Sequence, residues 1–254
     1  MDTIKRIAEK LKQTSQPNEW TDKLKNDHRS GVLNLVTSWQ KRLEHEKNLQ
    51  MSHAEKILFD ESFKLHKTDL VAGIDEAGRG PLAGPVVTAA VIFDGYPKEL
   101  LGINDSKILP RLKRENYAEI IKKHALAYYV HIQSIEQIDT FNIYQATKSS
   151  MTLAVENLPI QPQVLLVDAM TLPTDIVQHS IIKGDAKSLA IAAASILAKT
   201  TRDNLMNEFD KIYPEYHFAK NAGYGTADHL AALKQFGVTK IHRKTFEPIK
   251  SMIR

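Results

Sequence analysis

The chain has 254 residues, 43% hydrophobic and 25% charged, an ordinary globular composition with room for one substantial domain and a smaller one. It contains no cysteine, which excludes disulfides and thiolate catalysis and fits a reducing compartment, expected to be the cytoplasm. The net charge of +4 is compatible with a polyanionic partner without requiring one.

No apolar run approaches the length of a membrane span, so no membrane association is expected. The opening MDTIKRIAEKLKQ lacks the apolar core of a secretory leader. Up to about residue 69 the pattern is helical. Ile4, Ile7 and Leu11 recur at helical spacing, and Ser30 is a plausible N-cap for the repeat of Val32, Leu35, Val36, Trp39 and Leu43. A further segment, HAEKILFDESFKLHK, is expected to put Leu58, Phe59 and Phe63 on one face. The expectation is three or four short helices over residues 1–69, with LHKTDL as the boundary to a domain over 70–254.

From Leu70 the pattern is mixed. Apolar, β-branched runs occur at LVAGID, PVVTAAVIF, ALAYYVHIQS, QVLLVDAM and DIVQHSIIKG. Helical stretches stand between and after them, at PRLKRENYAEIIKKH, FNIYQATKSSMTLAVENL, SLAIAAASILAKTTRDNLMNEFDKIY and TADHLAALKQFG. The first two runs are joined by a glycine-rich turn with no room for a helix, which predicts antiparallel neighbours. The later runs are separated by helices, which favours parallel pairing. The expected fold class is α/β, a mixed sheet flanked by helices.

Three of the apolar runs end in carboxylates: Asp75 and Glu76, Asp168, and Asp185. Strand ends gather along a sheet edge, so these acids can converge. Clustered carboxylates raise one another's pKa, and a divalent cation removes that penalty; oxygen-only donors suit Mg²⁺ or Mn²⁺. Two objections stand beside this. Asp185 also sits where a helix cap would, and adjacent strand residues point to opposite faces, so Asp75 and Glu76 share a site only if the strand ends or twists there.

Gly78-Arg79-Gly80 follows directly and reads either as a structural turn or as backbone amides exposed to a polar substrate. A phosphate-binding loop is excluded because Arg79 stands where lysine is needed and a strand follows, and the dinucleotide fingerprint fails on its spacing. No GxSxG elbow and no HExxH occurs. Lys107, Lys183, Lys187 and Arg202 lie near the acids in sequence and read individually as solvated charges. Tyr224, between Gly223 and Gly225, is placed either to stack on a sugar or base or to anchor its loop to the core. The run IAAASILAK reads as a small-residue face that lets a helix lie close to the sheet.

The set GIDEAGRGPLAGP, NDSK, VDAM, IIKGD…IAAASILAKTTRD, GYGT…H and IHRKTFEP resembles type 2 ribonuclease H, the bacterial ribonuclease HII family, over roughly residues 70–248. The resemblance implies a ribonuclease H-like fold and endonucleolytic cleavage of the RNA strand of RNA·DNA hybrids, including single ribonucleotides embedded in duplex DNA. It implies that Asp75, Glu76, Asp168 and Asp185 are the catalytic, metal-binding carboxylates, using Mn²⁺ or Mg²⁺. It assigns Gly78, Arg79 and Gly80 to sensing the ribose 2′-hydroxyl, Tyr224 to packing on the neighbouring deoxyribose, and Lys107 to a phosphate or junction contact. A monomer is expected; the C-terminal PIKSMIR carries no legible signal for a clamp or repair partner. The helical segment 1–69 is an addition to a minimal family member, read as a duplex grip, a structural cap or a partner-binding module. Two rivals remain. Ribonuclease HIII is disfavoured by the helical N-terminal segment and by Arg79, and a non-catalytic hybrid binder by the complete acid set, which a polyanion would repel.

Overall fold

The structure, a computed structural model, describes residues 2–253 apart from 104, 105, 107 and 108. It divides into two compact units, Met1–Ala54 and Glu55–Arg254.

The first unit contains α1 (Ile4–Gln13), α2 (Glu19–Leu24) and most of α3 (Ser30–Glu61). Thr3 caps α1 by accepting from the Arg6 N–H, and Asn18 with Thr21 forms a reciprocal capping box on α2. Ile7, Leu11, Leu24, Val32, Val36 and Trp39 make the unit's apolar core, and the Trp39 indole donates to the Thr14 carbonyl at 2.8 Å. The last expected helical segment is not separate: it continues α3 to Glu61. Leu58 is 68% exposed and does not share a buried face with Phe59. Successive helical residues are about 100° apart, and the face turned inward there carries Lys56 and Asp60 instead.

The second unit runs through β1 (Val71–Ala77), β2 (Val86–Ile92), α4 (Arg111–His124), β3 (Ala127–Gln133), α5 (Ile135–Glu156), β4 (Val164–Asp168) and β5 (Val177–Ile181). It continues through α6 (Gly184–Lys187), α7 (Leu189–Ile212), α8 (Phe218–Asn221), α9 (Ala227–Phe236) and α10 (Ile249–Met252). All five expected strands join one mixed sheet in the order β3-β2-β1-β4-β5. As expected, β1 and β2 are antiparallel, while β1–β4 and β4–β5 are parallel. α5 starts earlier than the sequence pattern suggests. Asn142, at φ 68°, interrupts it and accepts from the N–H groups of Tyr144 and Gln145, so it caps the second helical piece, the one legible in the sequence. Among the described residues no helix is long and apolar enough to cross a membrane.

Side chains alternate across the sheet. Val87, Ala89 and Val91 pack with α4 and α7, while Ala72, Ile74, Ala90 and Ile92 pack with Met151, Ala154 and Val155 of α5. The small-residue stretch of α7 lies hard against β1: a Cβ on Gly73 would stand 2.1 Å from the Ala190 carbonyl carbon. No side chain fits there, which is why the strand carries glycine and the helix alanines at this crossing.

The start of α7 is held from α3. Asp60 Oδ2 accepts from the N–H groups of Leu189 and Ala190 at 3.0 and 2.9 Å, and Ser188 caps Ile191. Asp60 is fully buried, and burial pushes its carboxyl up from the ordinary 3.8 to about 6 despite these donors. The folded protein therefore favours the protonated form more than the unfolded chain does, and the stability this group adds is present below about pH 4 and lost as pH rises through about 6. Asp60→Asn keeps an acceptor for both amides and has no charge to bury. It is expected to flatten the decline in Tm between pH 4 and pH 7; a variant whose Tm falls as steeply as the parent's over that range would contradict this account.

Candidate active site

The ladders of β1 explain how neighbouring acids meet. Its pairing with β4 stops at Ile74↔Val167, whereas its pairing with β2 runs on to Ala77↔Val87. Asp75 and Glu76 therefore lie beside the end of β4, where no strand covers that edge and where Asp168 is the last strand residue. One carboxylate oxygen from each of Asp75, Glu76 and Asp168 falls within 4.8 Å of the others. The two neighbours reach one cluster in the stretch of β1 that pairs only with β2.

Each acid is held differently. Asp75 is 5% exposed, accepts from the Glu76 N–H at 2.7 Å and is hydrogen-bonded by Ser195, whose hydroxyl lies 2.9 Å from that of Ser106. Burial, then the charges of Glu76 and Asp168, push its carboxyl well above the usual range. Asp168 Oδ1 accepts from the Gly184 N–H at 2.8 Å, and a Cβ on Gly184 would crowd both Asp168 and Ile191. Asp185 is one residue further on, in α6, but does not belong to the 4.8 Å group. Its backbone is fixed by Lys56, a residue 3% exposed, whose ammonium donates to the carbonyls of Asp185 and Ile103 at 3.0 and 3.2 Å.

These donors fit a hard divalent cation. They are oxygen-only, and the carboxylates repel one another enough to raise Asp75, a penalty that a cation at their centre removes.

Beside the acids is a groove of about 460 Å³ lined by Glu76, Gly78, Arg79, Gly80, Lys199 and Tyr224, among others. Arg79 reaches back to Glu76 Oε1 at 3.4 Å and is half exposed. Gly78 sits at φ 97°, and a Cβ there would strike the Arg202 guanidinium at 2.0 Å, so glycine is required twice over. Gly80 is close to the Tyr224 ring: a Cβ on it would be 3.5 Å from Cε1. The ring is 46% exposed, so it does not anchor its loop in the core. Lys107 lies outside the described residues; Lys183 and Lys187 are exposed.

Sequence reasoning missed what holds the Gly-Arg-Gly turn. Arg202 is 1% exposed, not solvated, and donates to the carbonyls of Ala83, Pro85 and Ala222 at 2.9–3.0 Å. Arg243, also fully buried, donates to Gly78 O at 2.6 Å, Arg79 O at 2.9 Å and Gly84 O at 2.8 Å. Burial lowers both guanidinium pKa values, but both stay charged at neutral pH. A guanidinium's five donors match a cluster of carbonyls, and no local sequence pattern announces that use. Lys199 and Arg114 were also missed; they line the groove and share the two oxygens of Asp203 at 2.6 and 3.0 Å.

Comparison with known proteins agrees with this geometry. A family model described as Ribonuclease HII matches residues 72–249, and one for the Ribonuclease HII N-terminal domain matches residues 3–64. Ribonuclease HII of Bacillus cytotoxicus is 48% identical over 255 residues, spanning 99% of this chain and 97% of its own. That of Lactobacillus acidophilus is 48% identical over 252 residues, 99% of this chain and all of its own. Among solved structures, the ribonuclease H2 of Pyrococcus horikoshii superposes with a TM-score of 0.62 at 29% identity, covering 72% of this chain and 96% of that one. The chain belongs to the ribonuclease HII family of endoribonucleases, which act on the RNA strand of RNA·DNA hybrids.

Proposed function

We propose that this chain cleaves not only long RNA·DNA hybrids but also the single ribonucleotide embedded in duplex DNA, by divalent-ion hydrolysis that leaves 3′-hydroxyl and 5′-phosphate ends. The observation that carries the reading is the adjacency of the three-carboxylate cluster to the Gly78–Gly80 turn and Tyr224 along one groove. Asp75, Glu76 and Asp168 would hold Mg²⁺ or Mn²⁺, with Asp185 joining from α6. Two ions so held would supply activation of water for in-line attack at phosphorus and charge stabilisation of the departing 3′-oxygen. A cytoplasmic setting is part of this proposal and fits a cysteine-free chain.

The protein's own part is placement. Ser195 and the Glu76 N–H fix the Asp75 carboxylate, and Gly184 fixes that of Asp168, so little reorganisation is left when a ligand arrives. At the turn, Arg243 draws the carbonyls of Gly78 and Arg79 towards itself. In a trans peptide the N–H points opposite to the C=O. The amides of Arg79 and Gly80 therefore face away from the buried guanidinium, available to a 2′-hydroxyl, which can accept as well as donate. Tyr224, close to Gly80 and half exposed, offers a flat face to the sugar that follows. Arg79 and Lys199 supply positive charge to the phosphates along the groove.

A DNA duplex carrying one ribonucleotide tests the reading directly. Cleavage is expected at that residue only, with 3′-hydroxyl and 5′-phosphate ends, and only with Mg²⁺ or Mn²⁺ present; cutting of long hybrids alone, or cutting in chelator, would overturn it. Asp168→Asn is expected to abolish cutting while circular dichroism and Tm stay close to the parent's, and retained cutting would remove Asp168 from the site. For Arg79→Ala, the loss of kcat/KM on the single-ribonucleotide duplex should exceed the loss of affinity for a uniform hybrid. Equal losses would assign Arg79 to general phosphate binding instead.

A further inference from the structure

His229 and His242 are both completely buried, among the rings of Tyr216 and Phe218, with ring centroids 5.2–6.1 Å apart. Their Nε2 atoms are 3.0 Å apart. None of the chemistry described above uses them. Their hydrogen bonds nevertheless fix where every proton sits.

The backbone N–H of Thr239 points at His242 Nδ1 at 2.9 Å, and the Thr239 hydroxyl, which can donate or accept, lies 2.8 Å from the same nitrogen. An amide only donates, so this nitrogen is bare and His242 carries its proton on Nε2. That proton is donated to His229 Nε2, which must accept. His229 then carries its proton on Nδ1, 2.9 Å from the carbonyl oxygen of Tyr224, which only accepts. The result is a one-way chain of neutral rings, from Thr239 through His242 and His229 to the backbone of Tyr224. Burial keeps both rings below the ordinary imidazole pKa, in agreement with neutrality.

The residue next to His242 is Arg243, whose guanidinium holds the carbonyls of Gly78, Arg79 and Gly84. The same short segment is pinned to the turn by its backbone: Arg243 N–H donates to Leu82 O at 2.9 Å and Gly84 N–H to Ile241 O at 2.8 Å, while Leu82 N–H donates directly to Gly223 O of the Tyr224 loop at 2.9 Å. One dipeptide thus grips both sides of the groove, the glycine turn through a charged fork and the Tyr224 loop through the imidazole chain.

We propose that His242 and Arg243, with His229 as relay, are positioning residues that set the distance between the Gly78–Gly80 turn and Tyr224, and so set the preference for an isolated ribonucleotide over a uniform hybrid. Tyr224 is anchored by its carbonyl, which also accepts from the Thr226 N–H at 2.8 Å, and this leaves the ring free to face substrate. The selectivity part of the proposal rests on the substrate reading given above; the proton arrangement does not.

Two measurements on the full-length protein test it. The first is ring ¹⁵N NMR at pH 7. His229 is expected as the Nδ1–H tautomer and His242 as the Nε2–H tautomer; the opposite tautomers, or a charged ring, would overturn the relay. The second compares His229→Phe, which keeps a ring in the aromatic cluster, with His229→Asn, whose side-chain amide can still donate to the Tyr224 carbonyl. The Phe variant is expected to lose about tenfold in the ratio of kcat/KM on the single-ribonucleotide duplex to that on a uniform hybrid, the size of one lost hydrogen bond. The Asn variant should recover part of that ratio. Equal losses on both substrates, or no recovery with Asn, would reduce the histidines to core packing. If the Phe variant fails to fold, the wild-type tautomers and the Asn variant still decide. A wild-type protein that ignores the single ribonucleotide while showing the expected tautomers would sink the substrate reading and the selectivity claim but not the relay.

Discussion

Three carboxylate oxygens within 4.8 Å of one another, one of them on a side chain 5% exposed, are a costly arrangement for any folded chain. Burial and like charge act in the same direction on Asp75, and both are relieved by a cation. The rest of the second unit is arranged so that this cost is met in one place and with fixed geometry. β1 ends its ladder with β4 one residue before Asp75, β4 ends on Asp168, and Gly184 brings the following turn back onto Asp168. Removing the crowding would require moving a sheet edge, and Gly73 pressed against the Ala190 backbone leaves β1 no room to shift towards α7.

The groove beside the acids is organised by a second device, buried guanidinium groups that bind carbonyls instead of carboxylates. Arg202 and Arg243 between them hold the carbonyls of Gly78, Arg79, Ala83, Gly84, Pro85 and Ala222. An unpaired buried charge is expensive, yet a guanidinium surrounded by oriented dipoles is well solvated by the protein itself. The consequence for recognition is directional. Carbonyls committed to the interior leave the amides of Arg79 and Gly80 turned outward.

Much of this was legible in the sequence, and the reason is the regularity of the parts. Apolar, β-branched runs gave all five strands, the short glycine turn gave the antiparallel pairing of β1 and β2, and helical stretches between later runs gave the parallel pairs. Convergence of Asp75, Glu76 and Asp168 followed from acids at strand ends. What was not legible depends on long-range partners. Arg202 looked like any lysine or arginine on a helix, because only the fold brings the carbonyls of Ala83 and Pro85 to it. His229 and His242 lie thirteen positions apart and show nothing in sequence of the bond between their rings. Asn142 stood inside a helical pattern, and only its φ of 68° reveals that it starts a second helix. Asp185, grouped with the other acids by its place after an apolar run, lies in α6 and is not among the three acids whose oxygens fall within 4.8 Å of one another.

The two compact units part earlier in the chain than the composition changes. Glycine becomes frequent only after Leu70, but the compact units part between Ala54 and Glu55, inside α3. The last two turns of that helix belong with the sheet because their inward residues are polar and specific. Lys56 binds the carbonyls of Ile103 and Asp185, and Asp60 caps the helix that packs on β1. A helix end that supplies a buried ammonium to the turn of one acid, and a buried carboxyl to the start of α7, is part of the site's foundation. Truncation in the LHKTDL segment would remove both groups along with the first unit and so could not separate a substrate-gripping role from structural collapse. A cut before Glu55 leaves Lys56 and Asp60 in the chain, and any change in hybrid affinity would then report on the first unit alone.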